Sequence, residues 1–216
     1  SYTLMTFLTS ILLGLCMGSG AVFSIRFGQN DLEGMKEGMC ASFVLIAILT
    51  VLLTGVSFLG LEWILRFQQV PPEVIGYMRD YLLVIFCGIP ATFLYNYFAS
   101  LLRSVGNSVV PLGFLAVSAI LNIGLDLWFV VGLQRGVAGA AEATVISQYV
   151  SGIGIAIYTW FGFPQLRVAR SHFHIRWACI KEITSFSALT CVQQSVMNLG
   201  ILMVQGLVNS FGPTVM

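Results

Sequence analysis

Six stretches of this chain, 1–25, 38–61, 81–102, 104–125, 143–166 and 183–216, each run 22 residues or more without a charged side chain. A helix needs about 20 apolar residues to cross a hydrocarbon core about 30 Å thick. Inside lipid, every backbone N–H and C=O must be satisfied within its own segment, so each stretch is expected to be a helix. Only 9% of residues are charged, against about 25% in a soluble domain. The pattern predicts an all-α, polytopic membrane protein with six transmembrane helices.

Six such helices and short connections consume almost all of the 216 residues, which leaves no room for a soluble catalytic domain. A net charge of +1 gives no electrostatic basis for binding nucleic acid. The first stretch is too long, and lacks the basic start, for a cleaved signal peptide. The chain opens at Ser1 rather than Met, almost at once inside a spanning segment, which suggests a piece of something longer. Cys16, Cys40, Cys87, Cys179 and Cys191 show no CxxC or metal-ligand spacing and read as small apolar side chains.

The spans are expected at 2–24, 38–60, 81–102, 110–132, 139–160 and 183–210. Alternate connections share a side of the membrane. The set 26–37, 103–109 and 161–182 holds Arg26, Lys36, Arg103, Arg167, Arg170, Arg176 and Lys181, while the other set holds Arg66, Arg79 and Arg135. The excess of Lys and Arg places the first set in the cytoplasm. The basic link at 161–182 reads as a solvated connector, with His172 and His174 in no specific role; a short interfacial helix on the anionic leaflet is the alternative.

Small residues let helices approach in lipid. Gly14 and Gly18 form a GxxxG pair on the first span, and Gly139, Ala143, Ser147 and Ser151 form a ridge on the fifth. Pro90 is expected to kink the third span and free a carbonyl.

Asp126 is the one acidic residue well inside a predicted span, and an ionisable group at that depth is a functional hypothesis by default. Asn122 lies four residues earlier, on the same helix face. The short connection at 133–138 returns the fifth span antiparallel beside the fourth. Counting from the outer ends places Thr144 level with Asp126, and Gln148 one turn deeper, near Asn122. A carboxylate, an amide and a hydroxyl at one depth suit a Na⁺ ion or a single proton; the structural alternative is an Asp126 that snorkels or ties helix ends. Glu142, at the membrane edge, reads as solvated. Asn96, Tyr97, Gln193, Gln194 and Asn198 are neutral polar residues inside spans, suited to lining a pathway or to bonding between helices. No Ser-His-Asp set, HExxH or phosphate-binding glycine loop is present, so an enzyme is not expected.

Several of these runs resemble one family. Leu102-Arg103-Ser104-Val105-Gly106-Asn107 followed by Pro111, Leu121-Asn122-Ile123-Gly124-Leu125-Asp126, Gly136-Val137-Ala138-Gly139-Ala140-Ala141, Ala143-Thr144-Val145-Ile146-Ser147-Gln148 and Arg26-Phe27-Gly28-Gln29 are similar to segments of multidrug and toxic compound extrusion (MATE) transporters. The resemblance implies that the six spans are family helices two to seven of a two-lobe, twelve-helix fold. Residues 1–160 would be most of the first lobe, 161–182 the cytoplasmic link between lobes, and 183–216 the first helix of the second lobe. It further implies export of small amphipathic or cationic compounds in exchange for H⁺ or Na⁺, with no cofactor beyond the coupling ion. Asn122, Asp126 and Thr144 would form the cation site, any Na⁺ at Asp126 and Asn122, with Tyr81 a further contributor. Membrane lipid and the remainder of the chain, its first helix and second lobe, would be the other partners. An acidic residue of the family's first helix falls outside this chain, and helix seven offers Gln193 and Gln194 where some members carry Glu. A lipid-linked oligosaccharide flippase, disfavoured by the lack of Lys or Arg within a span, a six-helix channel, disfavoured by the lack of a charge ring or filter-like loop, and a non-transporting membrane scaffold or remnant are the rival readings.

Overall fold

The computed structural model describes residues 2–67, 69 and 71–210. Its helices are α1 (Tyr2–Gly28), α2 (Leu32–Leu59), α3 (Leu61–Phe67), α4 (Ile75–Cys87), α5 (Ile89–Ser104), α6 (Val109–Asp126), α7 (Gly136–Gly162) and α8 (Trp177–Ser210), and no strand occurs among the described residues. Six segments are long and apolar enough to cross a membrane: Thr6–Gly28, Leu32–Leu59, Ile75–Ser104, Val109–Gly132, Gly136–Gly162 and Trp177–Val208. The chain is a multi-pass integral membrane protein. Residues 211–216 of the expected final segment lie outside the described residues.

Helices run further than the charge-free spans. α2 begins at Leu32 rather than 38, the α4–α5 segment at Ile75 rather than 81, and α8 at Trp177 rather than 183. Charge-free windows mark the hydrocarbon, whereas the hydrogen-bond ladder continues until a cap ends it. At α2 that cap is Asp31, whose carboxylate accepts from the Gly34 N–H at 2.9 Å. The Gly34 N–H, and after it the Arg26 guanidinium, hold the Asp31 carboxyl below its ordinary range. The short helix α3, inside the expected 61–80 connection, buries Leu61, Ile64 and Leu65 and stacks Trp63 on Phe67.

α1 is the pivot of the bundle, packed along α8, α5 and α2. Its GxxxG pair forms the notch that receives α8. A Cβ on Gly14 would stand 2.6 Å from Cys191 Sγ and 2.8 Å from its Cα, and one on Gly18 would overlap the Ser187 backbone. Across this close approach Ser187 Oγ donates to Leu15 O at 3.3 Å and Cys191 Sγ to Ile11 O at 3.6 Å. On α7 the ridge of Gly139, Ala143, Ser147 and Ser151 is buried. The main apolar core, including Phe23, Met35, Phe86 and Leu101, joins α1 to α5.

The third span breaks where Pro90 predicts. α4 ends at Cys87 and α5 restarts at Ile89, with Pro90 in its first turn. The break frees the Cys87 carbonyl, which accepts the Tyr149 hydroxyl of α7 at 2.7 Å. Thr92 Oγ1 donates to Gly88 O at 3.1 Å.

The connection after α7 is mostly exposed, as the sequence predicts, but a few specific contacts tie it to the helices. It folds into short 3₁₀ turns at Pro164–Leu166 and Arg170–Phe173, and Leu166 is buried. His172 also has a specific role. Its Nδ1 accepts the Ala169 N–H at 3.0 Å, so Nε2 carries the proton toward Glu33 Oε2, 2.6 Å away. Arg26 reaches Glu182 at 2.8 Å and Asp31 at 3.2 Å, and Arg176 lies 3.5 Å from Glu37. Charges that read as topology signals therefore also tie this segment and the start of α8 to the α1–α2 turn.

Replacing Gly18 by Leu in the full-length protein is expected to cost about 1–3 kcal/mol or more by forcing α1 from α8. Denaturant titration in detergent measures this. The Tyr149→Phe variant is expected to lose about 1 kcal/mol, while Tyr158→Phe, whose hydroxyl has no partner among the described residues, changes little in the same assay.

Candidate cation site

Four helices enclose a cleft of about 400 Å³: α1 contributes Thr9 and Leu13, α5 Thr92, Tyr95 and Asn96, α6 Ser118 and Asn122, and α7 Thr144, Ser147, Gln148 and Ser151. No charged side chain is among its lining residues. The polar positions arise from helical spacing: Thr92 and Asn96 on α5, Ser118 and Asn122 on α6, and Thr144 and Gln148 on α7 each recur four apart, so each pair faces one way.

α6 and α7 are antiparallel neighbours, as the short connection requires. Asn122 Nδ2 donates to Thr144 Oγ1 at 3.2 Å, and Ser118 Oγ donates to Ser147 O at 3.2 Å. The register differs by one turn from the depth count. Thr144 stands level with Asn122, not Asp126, and Ser118 rather than Asn122 shares its level with the Ser147–Gln148 turn. The larger part of the difference comes from α7, which begins at Gly136, three residues before the expected 139, and so carries Thr144 about 4.5 Å deeper; beyond Asp126, Leu127–Gly132 also forms a π turn in which the Leu133 N–H bonds Trp128 O at 2.9 Å. A π turn closes wider rings and advances less per residue than α counting assumes, so Asp126 sits nearer the end of α6. Such turns recur at functional sites.

Thr144 is a brace. Its hydroxyl accepts from Asn122 and donates to Ala140 O at 3.0 Å, which fixes the amide and leaves Asn122 Oδ1 as the acceptor on that side. One turn onward, Asp126 Oδ1 is buried without a hydrogen-bond partner among the described residues. A buried, unpaired carboxylate oxygen is costly in a low-dielectric setting unless a proton or cation joins it. Asp126 Oδ1 and Asn122 Oδ1, four residues apart on α6, are thus both left as oxygen acceptors on this stretch of the helix. Near the outer end of this pair, Arg135 pairs with Glu142, so Glu142 is salt-bridged rather than simply solvated.

The remaining sequence candidates separate. Asn96 and Gln148 line the cleft, with Gln148 Oε1 at 3.5 Å from Thr92 Oγ1. Tyr81 packs against the apolar core on α4 and does not line the cleft. Tyr97 is buried among Phe23, Phe43, Phe93 and Phe98, and its hydroxyl donates to Met39 O at 2.8 Å. Gln194 bonds Met17 Sδ at 3.2 Å and Asn198 bonds Ser10 Oγ, both across the α1–α8 contact, while Gln193 is exposed on α8. The reading from sequence did not single out Thr9, Thr92, Tyr95 and Ser118. Tyr95 OH donates to Pro111 O at 2.8 Å and holds the start of α6 against α5. The four-residue spacing of Ser118 with Asn122, and of Thr92 with Asn96, was the available signal.

The MatE family model matches residues 1–128. The chain is 28% identical over 218 residues to the probable multidrug resistance protein YpnP of Bacillus subtilis, covering 98% of this chain and 47% of that protein. It is 27% identical to the probable multidrug resistance protein NorM of Thermotoga maritima, covering 89% of this chain and 42% of the relative. It thus spans about half the length of these relatives. Its fold matches an outward-facing multidrug resistance MATE transporter of the MOP superfamily with TM-score 0.86 at 23% identity, over 96% of this chain and 46% of that one. An inward-facing conformation matches with TM-score 0.81 at 24% identity, over 88% and 44%. Six apolar spans, the polar cleft between them and a family match over more than half its length together place this chain in the multidrug and toxic compound extrusion family.

Proposed function

We propose that the protein containing this chain exports small amphipathic or cationic compounds in exchange for H⁺ or Na⁺ by alternating access. In this reading residues 1–160 belong to the first lobe, 161–182 link the lobes on the cytoplasmic side, and α8 opens the second lobe. The observation that carries it is the buried Asp126 Oδ1, without a partner among the described residues, one turn from the Asn122–Thr144 pair and beside a polar cleft.

Coupling follows from differential binding. A cation on Asp126 relieves the buried charge, so the conformation that encloses Asp126 favours the loaded form and the one that wets it favours the empty form. A ligand with equal affinity for both states would shift nothing. The proton requires only the carboxylate. Na⁺ requires more oxygens than Asp126 and Asn122 provide, as hard cations commonly take six or so, and the rest would come from other segments or water. The relatives named as multidrug resistance proteins support the substrate class. The absence of Lys and Arg from the cleft's lining residues weighs against the flippase reading, which needs cations facing an anionic headgroup.

In vesicles carrying the full-length protein, Asp126→Asn is expected to reduce gradient-driven ethidium efflux to the level of empty vesicles while ethidium binding persists. Unchanged efflux would reduce Asp126 to a structural role, as the scaffold reading holds. Thr144→Val leaves the Asn122 amide unbraced and is expected to shift the pH or Na⁺ dependence of efflux. Thr144→Ser keeps the hydroxyl and should retain the wild-type profile.

A further inference from the structure

A second cavity, of about 380 Å³, lies on a different side of α5 and α7 from the cleft, enclosed by α2 and by the connection after α7. Phe43, Phe98, Ala156, Trp160 and Phe173 are among its walls, and Arg167 is its one charged lining residue. Volume and lining fall in the range of sites that hold small amphiphiles, about 300–1,000 Å³ and mostly apolar. Phe43, Trp160 and Phe173 are 36%, 53% and 58% exposed, so the cavity opens outward on its aromatic side.

Arg167 is held at the rim. Its Nε donates to Trp160 O at 2.8 Å, and its guanidinium carbon lies 5.8 Å from the Trp160 ring centroid. Arg26, Lys36, Arg79, Arg135 and Arg176 each lie within salt-bridge reach of a carboxylate. Arg167 does not among the described residues, nor does Arg170 three residues on. Trp160 stands two residues from the end of the α7 span, the depth at which tryptophan marks the membrane–water boundary. An apolar slot running inward from that boundary, with an unneutralised guanidinium at its mouth, is complementary to a molecule with a hydrocarbon tail and an anionic head. An organic cation would meet only the repelling Arg167 here, with no acidic side chain among the lining residues.

We propose that this cavity binds one anionic phospholipid, with an acyl chain between α2, α5 and α7 and its phosphate on the Arg167 guanidinium. Basic pockets between transmembrane helices near the membrane surface hold anionic headgroups in this manner. The site is separate from the cation site: none of its lining residues lines the cleft.

Lipid titration of the full-length protein in detergent, read by native mass spectrometry, tests the proposal with phosphatidylglycerol and phosphatidylcholine of identical chains. One cation facing an anionic headgroup predicts about fivefold tighter binding of phosphatidylglycerol. Arg167→Gln should remove that preference by weakening phosphatidylglycerol more than phosphatidylcholine. Ala156→Phe, which fills the slot, should weaken both lipids. Arg66→Gln, on a different connection, should keep the wild-type preference. Equal binding of the two lipids by the wild type would overturn the proposal without reference to any variant. An unchanged preference in Arg167→Gln, or its equal loss in Arg66→Gln, would also overturn it, because either result assigns the selectivity to diffuse charge.

Discussion

The backbone's need for hydrogen bonds in hydrocarbon governs this structure more than any side-chain contact does. Helices satisfy it within themselves, and departures are tolerated where neighbours or altered ring sizes make good the loss. Two departures matter here. At Gly88–Pro90 the ladder is interrupted, and the Tyr149 hydroxyl supplies the donor that the Cys87 carbonyl lacks. After Asp126 the ladder continues as a π turn, so its carbonyls stay bonded in wider rings. Both breaks adjoin the helices that line the cleft, one on the α4–α5 segment and one on α6. The cleft is where the bundle departs from regular packing, and the repairs come from α7 and from α6 itself.

Side-chain polarity obeys the same economy. Ser10, Ser19, Thr92, Thr144, Ser147 and Thr159 each donate to the carbonyl four residues earlier, so their hydroxyls cost little in lipid. Against that background Asp126 stands out chemically. Thr50 Oγ1 is also buried without a partner among the described residues, but a hydroxyl is less costly to leave unbonded than a carboxyl oxygen. Asp126 Oδ1 is the one carboxylate oxygen left buried and unbonded among the described residues.

The spans, the GxxxG notch and the Pro90 break were legible in the sequence because each depends on local chemistry: hydropathy, absence of a Cβ, absence of an N–H. The pairing of α6 with α7 was legible too, since a six-residue connection leaves no other neighbour. Axial register was not. Spacing assigns Asn122 and Asp126 to a face but cannot say how far one helix slides along another, and neither the start of α7 at Gly136 nor the π turn at Leu127–Gly132 has a signature in the sequence. Tyr81 packs against the apolar core rather than the cleft, and Tyr97 takes the second of the two roles its type allowed, bonding between helices. A tyrosine in a span reads the same whether its face meets a polar cleft or, as here, the apolar core. His172 was missed because its partner Glu33 lies 139 residues away.

How firmly α6 is held bears on what a charge at Asp126 can do. Among its described residues only Pro111 is buried, and the bonds that fasten it to its neighbours are few and specific: Tyr95 to Pro111 at the start, Ser118 to Ser147 and Asn122 to Thr144 further along. Each of these neutral hydrogen bonds is worth about 1 kcal/mol. The bond nearest Asp126 is thus Asn122–Thr144, while Tyr95 holds the opposite end of α6.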